Sequence, residues 1–262
     1  NKGYVKFVRG SKAGGFDFVY TGTSPAGNGY DAETASMFEA GLKGRVLDNQ
    51  LDYSIAIFRE TFTDLQQSAN NGVNFVVSNV GKARSQGIEL EMHYRPDSEW
   101  HFAFNGGYTD AKYIDFKGAA CGTLQNAGLQ GGCGGTPRSQ DLSGAPTQGS
   151  SKWSGSFSVD YTKLIDSGQN KVGIGASVFA RSKYDPGAYN DRRMQQNGFA
   201  QLDAHVDFGP ADGTWNLSLF GRNLTDQRPL AYTTLTPLNS TAVLGGYGSG
   251  RQVGVKLSFA MD

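Results

Sequence analysis

Residues 88–104 read Ile88-Glu89-Leu90-Glu91-Met92-His93-Tyr94-Arg95-Pro96-Asp97-Ser98-Glu99-Trp100-His101-Phe102-Ala103-Phe104. Apolar Ile88, Leu90, Met92 and Tyr94 alternate with polar Glu89, Glu91, His93 and Arg95. After a Pro-Asp turn, Trp100, Phe102 and Phe104 alternate with His101 and Ala103. Side chains of an extended strand point to opposite faces in turn, so this is a hairpin with one apolar and one polar face.

The same period recurs outward in both directions. Phe38, Ala40, Leu42, Gly44 and Val46 form one apolar set, and Leu51, Tyr53, Ile55 and Ile57 another. Later come Trp153, Phe157, Val159 and Tyr161, then Val172, Ile174, Ala176 and Val178. Leu202, Ala204, Val206 and Phe208, then Trp215, Leu217 and Leu219, and last Val253, Val255, Leu257 and Phe259 follow. With Tyr4–Val8 this predicts about ten strands. No segment carries the i, i+3, i+4, i+7 spacing of an amphipathic helix.

A soluble sandwich alternates too, with its apolar face inward. Three features favour a membrane wall instead. Several segments run to about ten residues, the length of a tilted membrane strand. Tyr94, Trp100, Trp153, Tyr161 and Trp215 stand near strand ends, where an aromatic girdle sits. Connections alternate in length: 47–50, 95–99, 162–170 and 209–214 are short. Those near 10–35, 66–79, 114–151, 185–198 and 225–249 are long and rich in Gly, Ser, Asn and Pro. Short periplasmic turns and long extracellular loops give that asymmetry. The reading is all-β: an antiparallel transmembrane β-barrel.

Composition agrees. The 262 residues carry 24 Lys+Arg and 24 Asp+Glu, with a mean hydropathy of -0.43. Zero net charge without a basic run excludes a nucleic-acid partner. No stretch reaches the roughly 18 apolar residues of a membrane helix. Aromatics at 12% and 37 glycines suit girdles and loops and do not suit a disordered chain. No HExxH, GxSxG or P-loop pattern is present, so neither catalysis nor a cofactor is expected. The chain opens Asn1-Lys2-Gly3, without a signal peptide, which reads as a processed precursor or an internal fragment.

Several runs carry a family resemblance. Val8-Arg9-Gly10-Ser11-Lys12-Ala13-Gly14-Gly15-Phe16 is one, and Glu33-Thr34-Ala35-Ser36-Met37-Phe38-Glu39-Ala40-Gly41-Leu42-Lys43 another. The most specific is Asn79-Val80-Gly81-Lys82-Ala83-Arg84-Ser85-Gln86-Gly87-Ile88-Glu89-Leu90-Glu91. Gly107–Tyr113 and Gly221-Arg222-Asn223-Leu224-Thr225-Asp226 complete the set, which spans the chain in the family's order. Together they resemble the C-terminal part of the barrel of TonB-dependent outer-membrane receptors. The resemblance implies about ten C-terminal strands of a 22-stranded barrel, with the plug domain and remaining strands absent from this chain. It further implies a Gram-negative outer membrane, contact with outer-membrane lipid, and a small-molecule nutrient ligand such as a ferric siderophore. Energy would come from an inner-membrane TonB complex reached through the missing N-terminal part. A passive porin-like channel and a non-transporting surface binding protein are the alternatives.

Candidate chemistry concentrates in the loops. Tyr113 opens the 114–151 loop; Tyr184, Tyr189, Arg192 and Arg193 cluster about 185–198; Tyr232 and Tyr247 lie in 225–249. Aromatics beside arginines suit an aryl or anionic ligand, and they equally suit girdle or loop-tying roles. Cys121 and Cys133 lack the further His or Cys of a zinc site, so a disulfide pinning the 114–151 loop is expected rather than a metal or redox pair. His93, His101 and His205 fall on polar phases, and only His93 and His101 are placed to meet. Glu39, Glu89, Glu91, Asp160, Asp203, Asp207, Arg45, Arg59, Arg181, Arg222 and Lys256 are expected on or near the lumen face. No metal site is expected.

Overall fold

A computed structural model describes residues 1–17, 29–70, 75–135, 138–189, 191–236 and 239–260. The expected loop at 10–35 is therefore described only at its two ends. Ten strands form one antiparallel sheet: β1 (Lys2–Lys12), β2 (Glu33–Val46), β3 (Leu51–Asn70), β4 (Phe75–Tyr94), β5 (Trp100–Asp115), β6 (Trp153–Ile165), β7 (Asn170–Arg181), β8 (Phe199–Pro210), β9 (Trp215–Arg222) and β10 (Gln252–Phe259). Each pairs with its sequence neighbour, and β1 and β10 are the sheet's two edges. The wall is thus an open segment of a barrel.

Alternation sets the two faces. Val5 and Phe7, Phe38 and Leu42, Leu217 and Leu219, and Val253, Val255, Leu257 and Phe259 stand outward and exposed. Phe157, at the middle of β6, is 44% exposed. A water-soluble protein does not leave so continuous an apolar surface bare; a lipid-facing wall must. The aromatic girdles are real ring assemblies. Trp100 stacks near Phe102 and Tyr161, with centroids 5.7 and 4.6 Å away. At the opposite end of the same strands Tyr108 meets Trp153 at 4.8 Å.

The polar phase lines the inside. Lys6 pairs with Glu39 at 3.2 Å, and Arg45 with Asp52 at 2.6 Å. His93 and His101 stack with centroids 5.7 Å apart, as their flanking of one turn requires. His205 lies 3.3 Å from Asp207 and 3.6 Å from Asp160. Gly175 sits between Asp160 and His205, and an added Cβ there would collide with both side chains. Arg59 departs from expectation. It continues the outward phase of Ile55 and Ile57 and is exposed.

The short turns are where alternation put them. At 47–50, Leu47, Asp48 and Asn49 take positive φ (52°, 53° and 69°). Asp and Asn tolerate that region because their short side chains bond locally. Four expected loops are partly strand: in 10–35 Gly15–Phe16 pairs with Gly29–Tyr30, in 114–151 Cys133–Gly134 pairs with Ser139–Gln140, and two more hold longer ladders. Residues 66–79 continue the β3–β4 ladder, Leu65 opposite Val80 through Asn70 opposite Phe75, and residues 71–74 lie outside those described. Asp64, at φ 53°, breaks the alternation, so Leu65 and Val80 join the inner cluster of Phe62, Ala83 and Tyr113. Residues 225–249 contain a separate hairpin, Leu230–Thr236 with Asn239–Tyr247.

Candidate functional site

Three connections at the long-loop end are packed into one assembly: 116–152, 182–198 and the hairpin of 230–247. It begins at Cys121, whose disulfide to Cys133 closes residues 121–133 within the 114–151 loop, with Cα atoms 6.0 Å apart. Gly122 opens α1 (Thr123–Asn126), and its N–H donates to Gln125 Oε1 at 2.7 Å. Gln125 Nε2 donates to Gln140 Oε1 at 2.9 Å, and Gln140 Nε2 donates to the carbonyls of Ala120 (2.7 Å) and Tyr189 (2.9 Å). Both glutamines are buried, so these bonds satisfy groups that would otherwise be costly to bury. Closing a loop of this size stabilises by roughly 3 kcal/mol. Cys121→Ser with Cys133→Ser is expected to expose the 121–133 segment to protease while the strands stay intact, checked by limited proteolysis and mass spectrometry.

Asp191 joins the second loop to the first. It is 1% exposed. It accepts from Thr123 Oγ1, from Leu124 N–H at 3.2 Å and from Arg193 N–H at 2.9 Å, and pairs with Arg193 Nε at 3.6 Å. The Arg193 guanidinium also donates to Thr123 Oγ1. Burial pushes the Asp191 carboxyl up. The bonds from Thr123, Arg193 and Leu124, with the Arg193 charge, outweigh burial and hold it below the usual carboxylate range.

The third element closes a small core. Tyr189, Met194 and Leu235 are each almost fully buried and pack with Ala120, Ala188 and Val243. Tyr184 donates from its hydroxyl to Leu230 carbonyl at 2.7 Å. Arg181, from the end of β7, lies 3.9 Å over the Tyr184 ring and donates to Ser151 Oγ at 3.0 Å and to the Gly149 carbonyl. Tyr113 donates to Gln67 Oε1 at 2.8 Å from inside a second cluster with Val80, Phe116 and Leu142.

A cavity of about 590 Å³ lies between the end of β5 and the first two connections, lined among others by Tyr113, Leu142, Gln148, Tyr184 and Asp185, with Asp110, Lys112 and Trp153 of the outward phase at its rim. Its size is that of a small-molecule site. Asp185 takes the Gly187 N–H on one oxygen at 2.9 Å, and among the described residues the other oxygen has no partner. Burial raises its carboxyl to about 6, against the Gly187 hydrogen bond. The folded state therefore binds this proton more tightly than the unfolded chain. The resulting stability is fully present below the ordinary Asp value of 3.8 and is lost as pH rises through about 6. Asp185→Asn is expected to remove that loss and raise loop stability at pH 7, measured as protease resistance of 182–198 from pH 4 to pH 8.

The expected ligand-contact residues thus separate. Tyr113, Tyr184 and Tyr189 are buried scaffold, with the first two also lining the cavity; Arg193 is tied to Asp191 and Thr123. Arg192, Tyr232 and Tyr247 are exposed, the two tyrosines 54% and 70%. Sequence reading missed Thr123, Gln125, Gln140 and Asp191. Only Asp191 left a local trace, as the cap of the turn Arg192–Met194. Among the described residues no three His, Cys, Asp or Glu converge as metal ligands.

The profile of the family described as TonB dependent receptor-like, beta-barrel matches residues 3–224. The pesticin receptor of Yersinia pestis is 23% identical over 252 residues, 96% of this chain and 32% of that protein. The ferric yersiniabactin uptake receptor FyuA of Yersinia pestis superposes with a TM-score of 0.72 at 18% identity, over 97% of this chain and 34% of that one. The copper transporter OprC gives 0.65 at 13% identity, over 99% and 37%. The chain spans about a third of the length of these relatives.

Proposed function

This chain belongs to the TonB-dependent receptor-like β-barrel family, and on that premise we propose that it is part of an outer-membrane receptor that binds and imports a scarce nutrient. The observation that carries the reading is the assembly of three loops at the long-loop end of a lipid-facing wall, two of them lining a cavity. A ligand arriving from outside would meet Arg192, Tyr232 and Tyr247 first, with Tyr113 and Tyr184 on the cavity wall behind them. Cation and aromatic faces suit an anionic or aryl metal complex, so a ferric siderophore or similar complex is the proposed cargo. The pesticin receptor and the yersiniabactin uptake receptor support that class, and the copper transporter marks how far cargo varies on this fold.

Transport would need parts outside this chain: the remaining strands, a plug in the lumen, and a TonB complex in the inner membrane supplying energy. The His and carboxylate groups of the lumen wall are suited to hold a polar plug by ion pairs and hydrogen bonds. The proposed setting is the outer membrane of a Gram-negative cell. No catalytic step is assigned.

The complete protein, expressed in a cell lacking its own siderophore receptors, tests this. Uptake of radiolabelled ferric catecholate, hydroxamate and mixed-ligand siderophores is measured with and without a protonophore. Accumulation of at least one that stops with the protonophore is the expected result. Accumulation that ignores it supports a passive channel, and none at all contradicts the receptor reading.

A further inference from the structure

The outward wall of β4–β7 is not evenly filled. Gly106 of β5 stands opposite Gly155 of β6, which stands opposite Ala180 of β7. These three floor an apolar groove of about 630 Å³, bounded by Phe104 and Phe157 at one end and by Tyr108 and Trp153 at the other. A Cβ at Gly155 would lie 2.9 Å from the Asn105 carbonyl oxygen, so the strands approach this closely only without one.

Beyond the Tyr108–Trp153 pair the outward phase turns basic. Arg84 of β4 stands opposite Lys112 of β5. Asp110 lies between them, 2.9 Å from Lys112 Nζ and 3.9 Å from Arg84 Nη2. Arg84 Nε is shielded and has no hydrogen-bond partner among the described residues. Arg59, opposite Gln86, and Lys82, opposite Asp115, widen the patch to four cations against two carboxylates. Lys112 is four residues past Tyr108, roughly 13 Å along the strand. That places the cations above the aromatic girdle, at headgroup depth.

We propose that groove and patch together hold one phosphorylated, acylated glycolipid of the outer leaflet, with an acyl chain along Gly106, Gly155 and Ala180 and a phosphate at Arg84 and Lys112. The inference rests on the membrane reading above. A free phosphate would use the patch and leave the groove without purpose. A neutral lipid would use the groove and leave Arg84 and Lys112 with one shared acid.

The complete protein, extracted in detergent and incubated with bisphosphorylated lipid A or its dephosphorylated form, is examined by native mass spectrometry. Wild type is expected to retain the phosphorylated lipid about tenfold more than the dephosphorylated one, each tenfold being one step in binding constant. Arg84→Gln with Lys112→Gln abolishes that preference. Ala180→Phe, which puts a ring into the groove, lowers retention of both lipids. Equal retention of the two lipids by wild type overturns the proposal even if neither variant folds, and so does unchanged retention in both variants. Heat-modifiable electrophoretic mobility reports barrel insertion separately. A barrel that inserts without lipid preference contradicts this site alone; a chain that never inserts contradicts the membrane reading beneath it.

Discussion

Asp191→Ala in the complete protein is expected to release the three-loop assembly and lower ligand affinity by on the order of a hundredfold, an affinity loss of about 2.7 kcal/mol. The buried carboxylate takes donors from Thr123, Leu124 and Arg193 at once, linking two loops some 68 residues apart in sequence. Removing it leaves Thr123, which is fully buried, and the Arg193 guanidinium without their shared acceptor. Breaking a buried charged network costs about 3–5 kcal/mol, and the low end applies because Arg193 is half in water. Asp191→Asn keeps the shape and some acceptors, so its loss should be smaller. Affinity is read by titration with whichever ligand the uptake assay selects, and loop release by proteolysis within 116–152. The account requires barrel unfolding to stay unchanged in both variants, since no strand of the ten depends on Asp191.

A more general effect is expected on the wall. Phe157→Arg, at the middle of the outward phase of β6, should destabilise the membrane-inserted barrel by about 2–4 kcal/mol, the range for Arg at the bilayer midplane. Ser158→Arg, the adjacent residue on the lumen phase, should cost less than about 1 kcal/mol, because its charge stays in a polar interior. The two positions differ by one residue and one strand face; Phe157 pairs with Val178 and Phe104, Ser158 with Ser177 and Ala103. Urea unfolding of the complete protein in lipid vesicles measures both. A soluble sandwich would show the same order, because Phe157 would then fill its core; contact of residue 157 with lipid separates the two.

The wall was legible in the sequence because alternation is local and its phase is set by a few large residues. Ile88 through Tyr94 and Trp100 through Phe104 define a register without knowledge of any distant contact. The extension of β3 and β4 through 66–79 was not legible. Outside the bilayer neither face must be apolar, so Gln66, Gln67, Ser68 and Asn79 read as loop although they pair in a ladder. The loop assembly was legible only as composition. Tyr189 and Tyr247 are the same residue type in similar Gly-rich surroundings, yet one is buried against Met194 and Leu235 and the other is 70% exposed. What separates them is packing between loops far apart in sequence. Arg192 and Arg193 are adjacent and chemically identical, and only the position of Thr123 decides which is tied down.

The most direct test of the membrane-wall claim is a fluorophore scan of β6. Single cysteines at 156, 157, 158 and 159, in the complete protein with the native pair replaced by serine, carry an environment-sensitive dye in vesicles containing spin-labelled lipid. Strong quenching at 157 and 159 with little at 156 and 158 is the predicted result. Quenching at none of the four, or at all of them equally, would contradict the claim that this sheet faces lipid on one side and a polar lumen on the other.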